Sequence, residues 1–171
     1  RSLLREKKVY MADFMSSPGS GKTTLIEKLI PEFRERGYRV ATIKHVPHGF
    51  EADREGKDSW RHKQAGARVT VLASRDKIAL FENAQRSYSA EEIRDRYIRD
   101  VDLVISEGYK GNPYSKIEVF RSSVHPRPLC DEGDLLLASV GESVGEGIPC
   151  FRIDEIPELV DLIVSRLLKK K

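Results

Sequence analysis

Residues 15–24 read Met-Ser-Ser-Pro-Gly-Ser-Gly-Lys-Thr-Thr. The stretch follows an apolar run from Val9 to Met15 and leads into a helical pattern, Leu25, Ile26, Leu29, Ile30 and Phe33. A strand, a glycine-rich turn, Gly-Lys-Thr and a helix in that order are the layout of a P-loop. Each part has a physical reason. A loop that curls around a phosphate chain offers it successive backbone N–H groups. The following helix adds unpaired N–H groups and the positive end of its dipole. Gly19 and Gly21 permit backbone angles and a close approach that a Cβ would obstruct. Pro18, Gly19, Ser20, Gly21, Lys22, Thr23 and Thr24 are therefore the candidate nucleotide-binding residues. Lys22 is placed to reach the β- and γ-phosphates, and the Thr23 hydroxyl to hold Mg²⁺. The full pattern places glycine where this chain has Ser16, which fits without strain if its φ is negative.

The rest of the chain is consistent with one nucleotide-binding domain spanning residues 1–171, since 171 residues fall in the range of a single domain. The 39% hydrophobic content supports a full core. With 30 basic and 27 acidic residues, the net charge of +3 is too balanced to argue for nucleic acid as a partner. The basic ends, Arg1 to Lys8 and Lys169 to Lys171, read as solvated. No apolar run approaches the roughly 18 residues a membrane helix needs. The N-terminus shows no secretory h-region or cleavage site, so a cytoplasmic location is expected. Cys130 and Cys150 lie twenty apart with no CxxC, and read as reduced, small core residues.

In chain order, the pattern predicts strands over Val9 to Met15 and Tyr38 to His45, with a helix from about Thr23 to Arg36 between them. Pro31 lies inside that helix and is expected to kink it. Asp13 is the one acidic residue in the first strand. A polar loop from Val46 to Lys57 follows, long enough to suggest function. Asp58 or Ser59 is expected to cap a short helix. Arg68 to Ala73 and Ile78 to Phe81 flank Ser74-Arg75-Asp76-Lys77, a hairpin signal. Ser89-Ala90-Glu91-Glu92 fits a capping box. Val101 to Ser106, Ile117 to Phe120, Leu135 to Val140 and Cys150 to Ile153 read as further strands. Asp154 is expected to cap a last helix with Pro157 in its first turn. The expected architecture is α/β, a P-loop NTPase with a mainly parallel sheet flanked by helices and an inserted β-hairpin. Ligands on such sheets sit beyond the carboxyl ends of the strands, where the P-loop, the His45 loop and the Glu107 loop should converge.

Glu107 ends an apolar strand, the position that supplies a second acidic group for Mg²⁺, directly or through water. Asp102 starts the same strand, at the wrong end. Lys44, His45, His48 and Asp53 cluster in the long loop, where a switch segment or an acidic-substrate site would lie. His45, His48 and Asp53 also read as candidate metal ligands, against the simpler reading of a solvated loop. Lys57-Asp58-Ser59 and Arg61-His62-Lys63 add polar groups suited to a second, phosphorylated ligand. Trp60 reads as packing. No Asn-Lys-x-Asp segment is present, so the base is not legible, and no catalytic triad or paired-carboxylate arrangement stands out. Phosphate binding with slow hydrolysis of the γ-phosphate by a positioned water is the chemistry expected.

The chain resembles the MobB family of GTP-binding proteins linked to molybdopterin guanine dinucleotide synthesis. The resemblance rests on Ser17-Pro18-Gly19-Ser20-Gly21-Lys22-Thr23-Thr24-Leu25, on Thr42-Ile43-Lys44-His45 with His48 and Asp53, and on Gly56-Lys57-Asp58-Ser59 and Ala65-Gly66-Ala67. It continues through Asp102-Leu103-Val104-Ile105-Ser106-Glu107-Gly108-Tyr109-Lys110 and Lys116-Ile117-Glu118-Val119. It implies a homodimer, GTP with Mg²⁺, and weak intrinsic GTPase activity in an accessory protein. It also implies partnership with a MobA-like guanylyltransferase, which attaches GMP to molybdopterin. On the same resemblance Lys22 and Thr23 meet phosphates and Mg²⁺, and Glu107 completes the metal site. Lys44, His45, His48, Asp53, Asp58 and Lys110 shape a switch or second-ligand region. The segment Leu3 to Gly21, with Met15-Ser16-Ser17-Pro18-Gly19, looks more like the nickel-insertion GTPases of hydrogenase and urease, although their Cys-His pair is missing. Nickel delivery is therefore an alternative, and an ATP-dependent small-molecule kinase or ligase, with Asp53 as base, is another.

Overall fold

The computed structural model describes residues 9–109, 111–131 and 133–168. They form two compact units: one of residues 9–45 and 89–168, and a second, Val46–Tyr88, carried between the two parts of the first.

The first unit begins with β1 (Tyr10–Ser16), α1 (Lys22–Glu35) and β2 (Val40–Lys44). The second unit contributes α2 (Asp58–Gln64), β3 (Val69–Ala73) and β4 (Ile78–Glu82). The first unit resumes with α3 (Ala90–Tyr97), β5 (Leu103–Glu107), β6 (Ser115–Phe120), β7 (Leu136–Gly141), β8 (Cys150–Phe151) and α4 (Ile156–Ile163). A π-helical turn, Val164–Leu168, continues α4.

Six strands pair in the order β2-β5-β1-β6-β7-β8, all parallel. From β1 the chain passes outward to β2, returns to β5, and then crosses to β6 on the other side of β1. The connection therefore changes direction at β1, and a crevice opens at its carboxyl end.

The two sheet faces follow from the side-chain alternation of a strand. Ala12 and Phe14 of β1 point to one face with Leu103, Ile105, Ile117, Val119, Ala138 and Val140. There α1 lays down Leu25, Ile26, Leu29 and Phe33, and α4 lays down Ile156, Leu159, Val160 and Ile163. Each such side chain contributes about 2 kcal/mol when fully buried. The other face carries Met11, Ile43 and Val104 with Ala90 of α3. It also carries a buried polar row. Asp13 pairs in register with Ser106 on one side and Lys116 on the other, and all three are buried. The Lys116 Nζ donates to Asn112 O at 2.7 Å and lies 3.2 Å from Asp134 Oδ1. Glu118, also buried, accepts the N–H groups of Leu129 at 2.5 Å and Cys130 at 3.1 Å.

α1 runs continuously through Pro31. Pro31 is exposed, so the backbone hydrogen bond it removes is lost on the solvent side of the helix. Ser89 and Glu92 form the expected capping box: Glu92 N–H donates to Ser89 Oγ at 3.1 Å and Ser89 N–H to Glu92 Oε2 at 2.9 Å.

Three local expectations are corrected. Lys57, not Asp58 or Ser59, precedes α2, because the Ser59 hydroxyl donates to Asp53 Oδ1 at 3.0 Å. Glu155, not Asp154, precedes α4, because Asp154 accepts from Arg152 at 3.1 Å. Cys150 is exposed on β8 at the sheet edge, whereas Cys130 is partly buried; both are free thiols. Burial, with the Glu118 carboxylate close by, pushes the Cys130 thiol up to about 12.

In the second unit β3 and β4 make the expected antiparallel hairpin, as a separate two-stranded sheet. Its turn closes with Ser74 N–H on Lys77 O at 2.8 Å. Val69, Val71, Leu72, Ile78 and Leu80 of the hairpin are exposed. No helix among the described residues is long and apolar enough to cross a membrane. The charged ends noted above, Arg1 to Lys8 and Lys169 to Lys171, lie outside the described residues.

Candidate functional site

At the carboxyl end of β1 the chain leaves the sheet and curls before entering α1. Ser20 N–H donates to Ser17 O at 3.2 Å, which closes the turn. Gly19 has φ +81° and Gly21 φ +97°, both in the left-handed region that favours glycine. Ser16 is still in β1 and has no positive φ, so a glycine is not required there. Gly21 is the residue before α1. No side chain caps the helix, and its first turn holds no acidic residue. The first N–H groups of α1 are thus without side-chain acceptors, and the positive end of its dipole is not neutralised locally.

This turn lines a cavity of about 440 Å³ formed by Ser16 to Thr24, Lys44, His45, Glu107 and Gly108. Three strand ends build it. β5 lies directly beside β1, with Phe14 in register with Glu107, so the Glu107 carboxylate stands next to the turn. β2 lies on the far side of β5 and pairs Lys44 with Glu107. Lys22 Nζ is 3.5 Å from Glu107 Oε2, and Lys44 Nζ is 3.7 Å from Glu107 Oε1. Glu107 and Lys22 are mostly shielded from solvent, whereas Lys44 is exposed. His45 N–H donates to Glu107 O at 2.9 Å. Gly108 has φ +85°, and a Cβ there would stand 3.2 Å from His45 O, so the two loops meet closely. The His45 ring packs on Tyr109 at 5.0 Å between centroids.

Below the turn, Asp13 Oδ1 accepts from Ser106 Oγ at 2.9 Å, and Oδ2 has no hydrogen-bond partner. Burial raises the Asp13 carboxyl above its ordinary range, against the lowering by the Ser106 hydrogen bond and the Lys116 charge. It is a buried neighbour of the site rather than a wall of the cavity.

The sequence-derived residues thus divide. Pro18, Gly19, Ser20, Gly21, Lys22, Thr23, Thr24, Lys44, His45 and Glu107 share one cavity. His48, Asp53 and Asp58 belong to the second unit. There Asp53 accepts from Ser59 Oγ and from Arg54 N–H at 2.9 Å and faces Lys63 Nζ at 3.9 Å, bracing its own loop. The Asp58 side chain is almost fully exposed, 3.9 Å from Arg61 Nη1. Among the described residues no group of three His, Cys, Asp or Glu side chains forms a metal-ligand cluster. Lys110 lies outside the described residues. Arg121, which the sequence reading passed over, stands beside Gly21.

A parallel sheet with its direction change at β1, and a Gly-Lys-Thr turn between β1 and an uncapped helix, define a P-loop NTPase-like protein. The family model for molybdopterin guanine dinucleotide synthesis protein B, MobB, matches residues 11–142. The chain belongs to the MobB family. It is 39% identical to the molybdopterin-guanine dinucleotide biosynthesis adapter protein of Haemophilus influenzae, over 87% of this chain and 84% of that one. It is 30% identical to the adapter protein of Escherichia coli, over 92% of this chain and 93% of that one. Among solved structures, Bacillus subtilis MobB superposes with a TM-score of 0.73 at 27% identity, covering 95% of this chain and 99% of that one. The MobB resemblance read from the sequence is borne out by these matches.

Proposed function

We propose that this chain is a nucleotide-binding adapter of molybdopterin guanine dinucleotide synthesis, which binds GTP with Mg²⁺ at its P-loop, hydrolyses it slowly, and works beside a MobA-like guanylyltransferase and its molybdopterin substrate. The observation that carries this reading is the uncapped start of α1, facing a cavity of about 440 Å³ beside the Lys22 and Glu107 pair. That volume is in the range of small-molecule sites.

The backbone N–H groups of residues 18–24 hold the phosphates, and the Lys22 ammonium meets the charge of the β/γ end. The Thr23 hydroxyl and the Glu107 carboxylate are hard oxygen donors. They suit an ion held by one or two protein oxygens together with ligand phosphates. Mg²⁺, when bound, supplies neutralisation of the charge on the phosphate oxygens. Glu107 orients it directly or through water. Lys44 and His45 sit on the same flank as Glu107 and meet the terminal phosphate or the second ligand. His48, Asp53, Asp58 and Lys110 serve the switch or second-ligand region. The exposed apolar side chains of the β3–β4 hairpin suit a contact with a second copy in a homodimer.

Calorimetric titration with GTP and with ATP, each with Mg²⁺ and then with EDTA, tests the reading. The expected result is GTP binding well above ATP, strengthened by Mg²⁺. Absence of binding to either nucleotide overturns it.

A further inference from the structure

Arg121 is the first residue beyond β6, the strand that flanks β1 on the side away from Glu107. Val119 pairs in register with Ser16, so Arg121 stands at the level of the phosphate-binding turn. A Cβ at Gly21 would lie 3.5 Å from Arg121 Nη2 and 3.5 Å from Ile153 Cδ1. A guanidinium and an apolar side chain thus stand beside Gly21 of the turn.

The place of Arg121 is set by its neighbours. Gly141, at the end of β7, has φ +101°, and a Cβ there would meet Phe120 O at 2.5 Å and Arg121 Cγ at 3.7 Å. Only glycine lets β7 approach so closely. Glu142 N–H donates to Phe120 O at 3.1 Å, and Glu142 Oε1 accepts from Ser122 N–H at 2.9 Å. Arg121 O in turn accepts from Val124 N–H at 3.0 Å and His125 N–H at 3.1 Å. The backbone on both sides of Arg121 is held, while its guanidinium forms no ion pair with the described residues.

The two flanks of the cavity differ in chemistry. Lys44, His45, Glu107 and Gly108 line it on the β5 and β2 side, and Arg121 is not among the lining residues. A nucleotide bound with its terminal phosphate toward Glu107 would carry its base out on the opposite flank, where the strand order puts the ends of β6, β7 and β8. We propose that Arg121 reads the base of the bound nucleotide and selects guanine. This rests on the P-loop reading above. Two guanidinium N–H donors match the adjacent O6 and N7 acceptors of guanine, whereas adenine places an N6 amino donor where O6 would be. Guanine selection in this chain then needs no Asn-Lys-x-Asp carboxylate. Ile153 provides the apolar neighbour for the base.

The test compares wild type with Arg121→Ala and Arg121→Lys by calorimetry against GTP, inosine triphosphate, ATP and inorganic tripolyphosphate, all with Mg²⁺. Inosine triphosphate keeps O6 and N7 and lacks only the 2-amino group. Wild type is expected to bind it as tightly as GTP, and ATP roughly tenfold to a hundredfold more weakly. Arg121→Ala is expected to bring GTP and inosine triphosphate down to the ATP affinity and to leave tripolyphosphate unchanged, with Arg121→Lys intermediate. Arg121 is exposed, and circular dichroism checks that the variants stay folded. An unchanged GTP-to-ATP ratio in Arg121→Ala overturns the proposal. So does an equal loss of tripolyphosphate, which makes Arg121 a phosphate ligand. Wild type that binds inosine triphosphate as weakly as ATP also overturns it, because the base is then read through its 2-amino edge. Failure of the P-loop reading itself is distinct: wild type then binds neither GTP nor tripolyphosphate.

Discussion

The Lys22 ammonium lies 3.5 Å from the Glu107 carboxylate, joining two groups 85 positions apart at the mouth of one cavity. Replacing Lys22 by Ala removes one partly shielded ion pair and, on the proposed function, the cation that meets ligand phosphate. Such a pair adds about 1 kcal/mol or less to stability, whereas a charge-assisted contact to phosphate is worth about 2–3 kcal/mol. Lys22→Ala is therefore expected to lower GTP affinity by about two orders of magnitude and to shift the thermal midpoint only slightly. Wild-type affinity in that variant, measured by calorimetry, rules out the phosphate role.

Glu107 faces both Lys22 and Lys44, so its charge holds two cations at the cavity. Glu107→Gln keeps the shape and removes the charge. We expect GTP binding in EDTA to change little and the strengthening by Mg²⁺ to be lost. If Mg²⁺ strengthens binding in the variant as much as in the parent, Glu107 does not serve the ion.

Ser16 stands in a strand conformation, not in the left-handed region. Ser16→Gly restores the usual motif but adds freedom to the unfolded chain. The expectation is a loss of about 0.5–1 kcal/mol of stability with GTP affinity unchanged. A marked gain in affinity would show that the side chain at 16 obstructs the turn.

Asp13 is buried with one oxygen unpartnered, and burial raises its pKa above the usual 3.8. The native state then holds a proton that the unfolded state releases. Stability falls as pH rises from the unfolded value through the raised folded value, and above that the whole penalty is present. Asp13→Asn keeps an acceptor for Ser106 and cannot ionise. Its thermal midpoint is expected to exceed that of the parent at pH 7 and to match it near pH 3. Equal midpoints at both pH values would show that Lys116 fully compensates the buried charge.

What was legible in the sequence lay close together along the chain. Val9 to Thr24 announces strand, turn and helix because each element is specified by its own neighbours, and the left-handed angles of Gly19 and Gly21 are met at the glycines themselves. The Ser89 and Glu92 capping box is equally local. Where a local signal failed, a competing partner had taken the side chain: Asp53 holds the Ser59 hydroxyl, and Arg152 holds Asp154. The exposure of Cys150 likewise follows from the edge position of β8, which its own neighbours do not encode.

By itself the sequence determined the Gly-Lys-Thr turn, the acidic strand end at Glu107 and the family to which the chain belongs, because a motif depends on residues in fixed succession. Only the tertiary structure decided that β5 lies beside β1, so that Glu107 meets Lys22. It alone brought Arg121 against Gly21 through the close approach of Gly141 to Phe120. Strand order and inter-strand contact are set by packing among residues far apart in the chain, and no spacing within one segment records them.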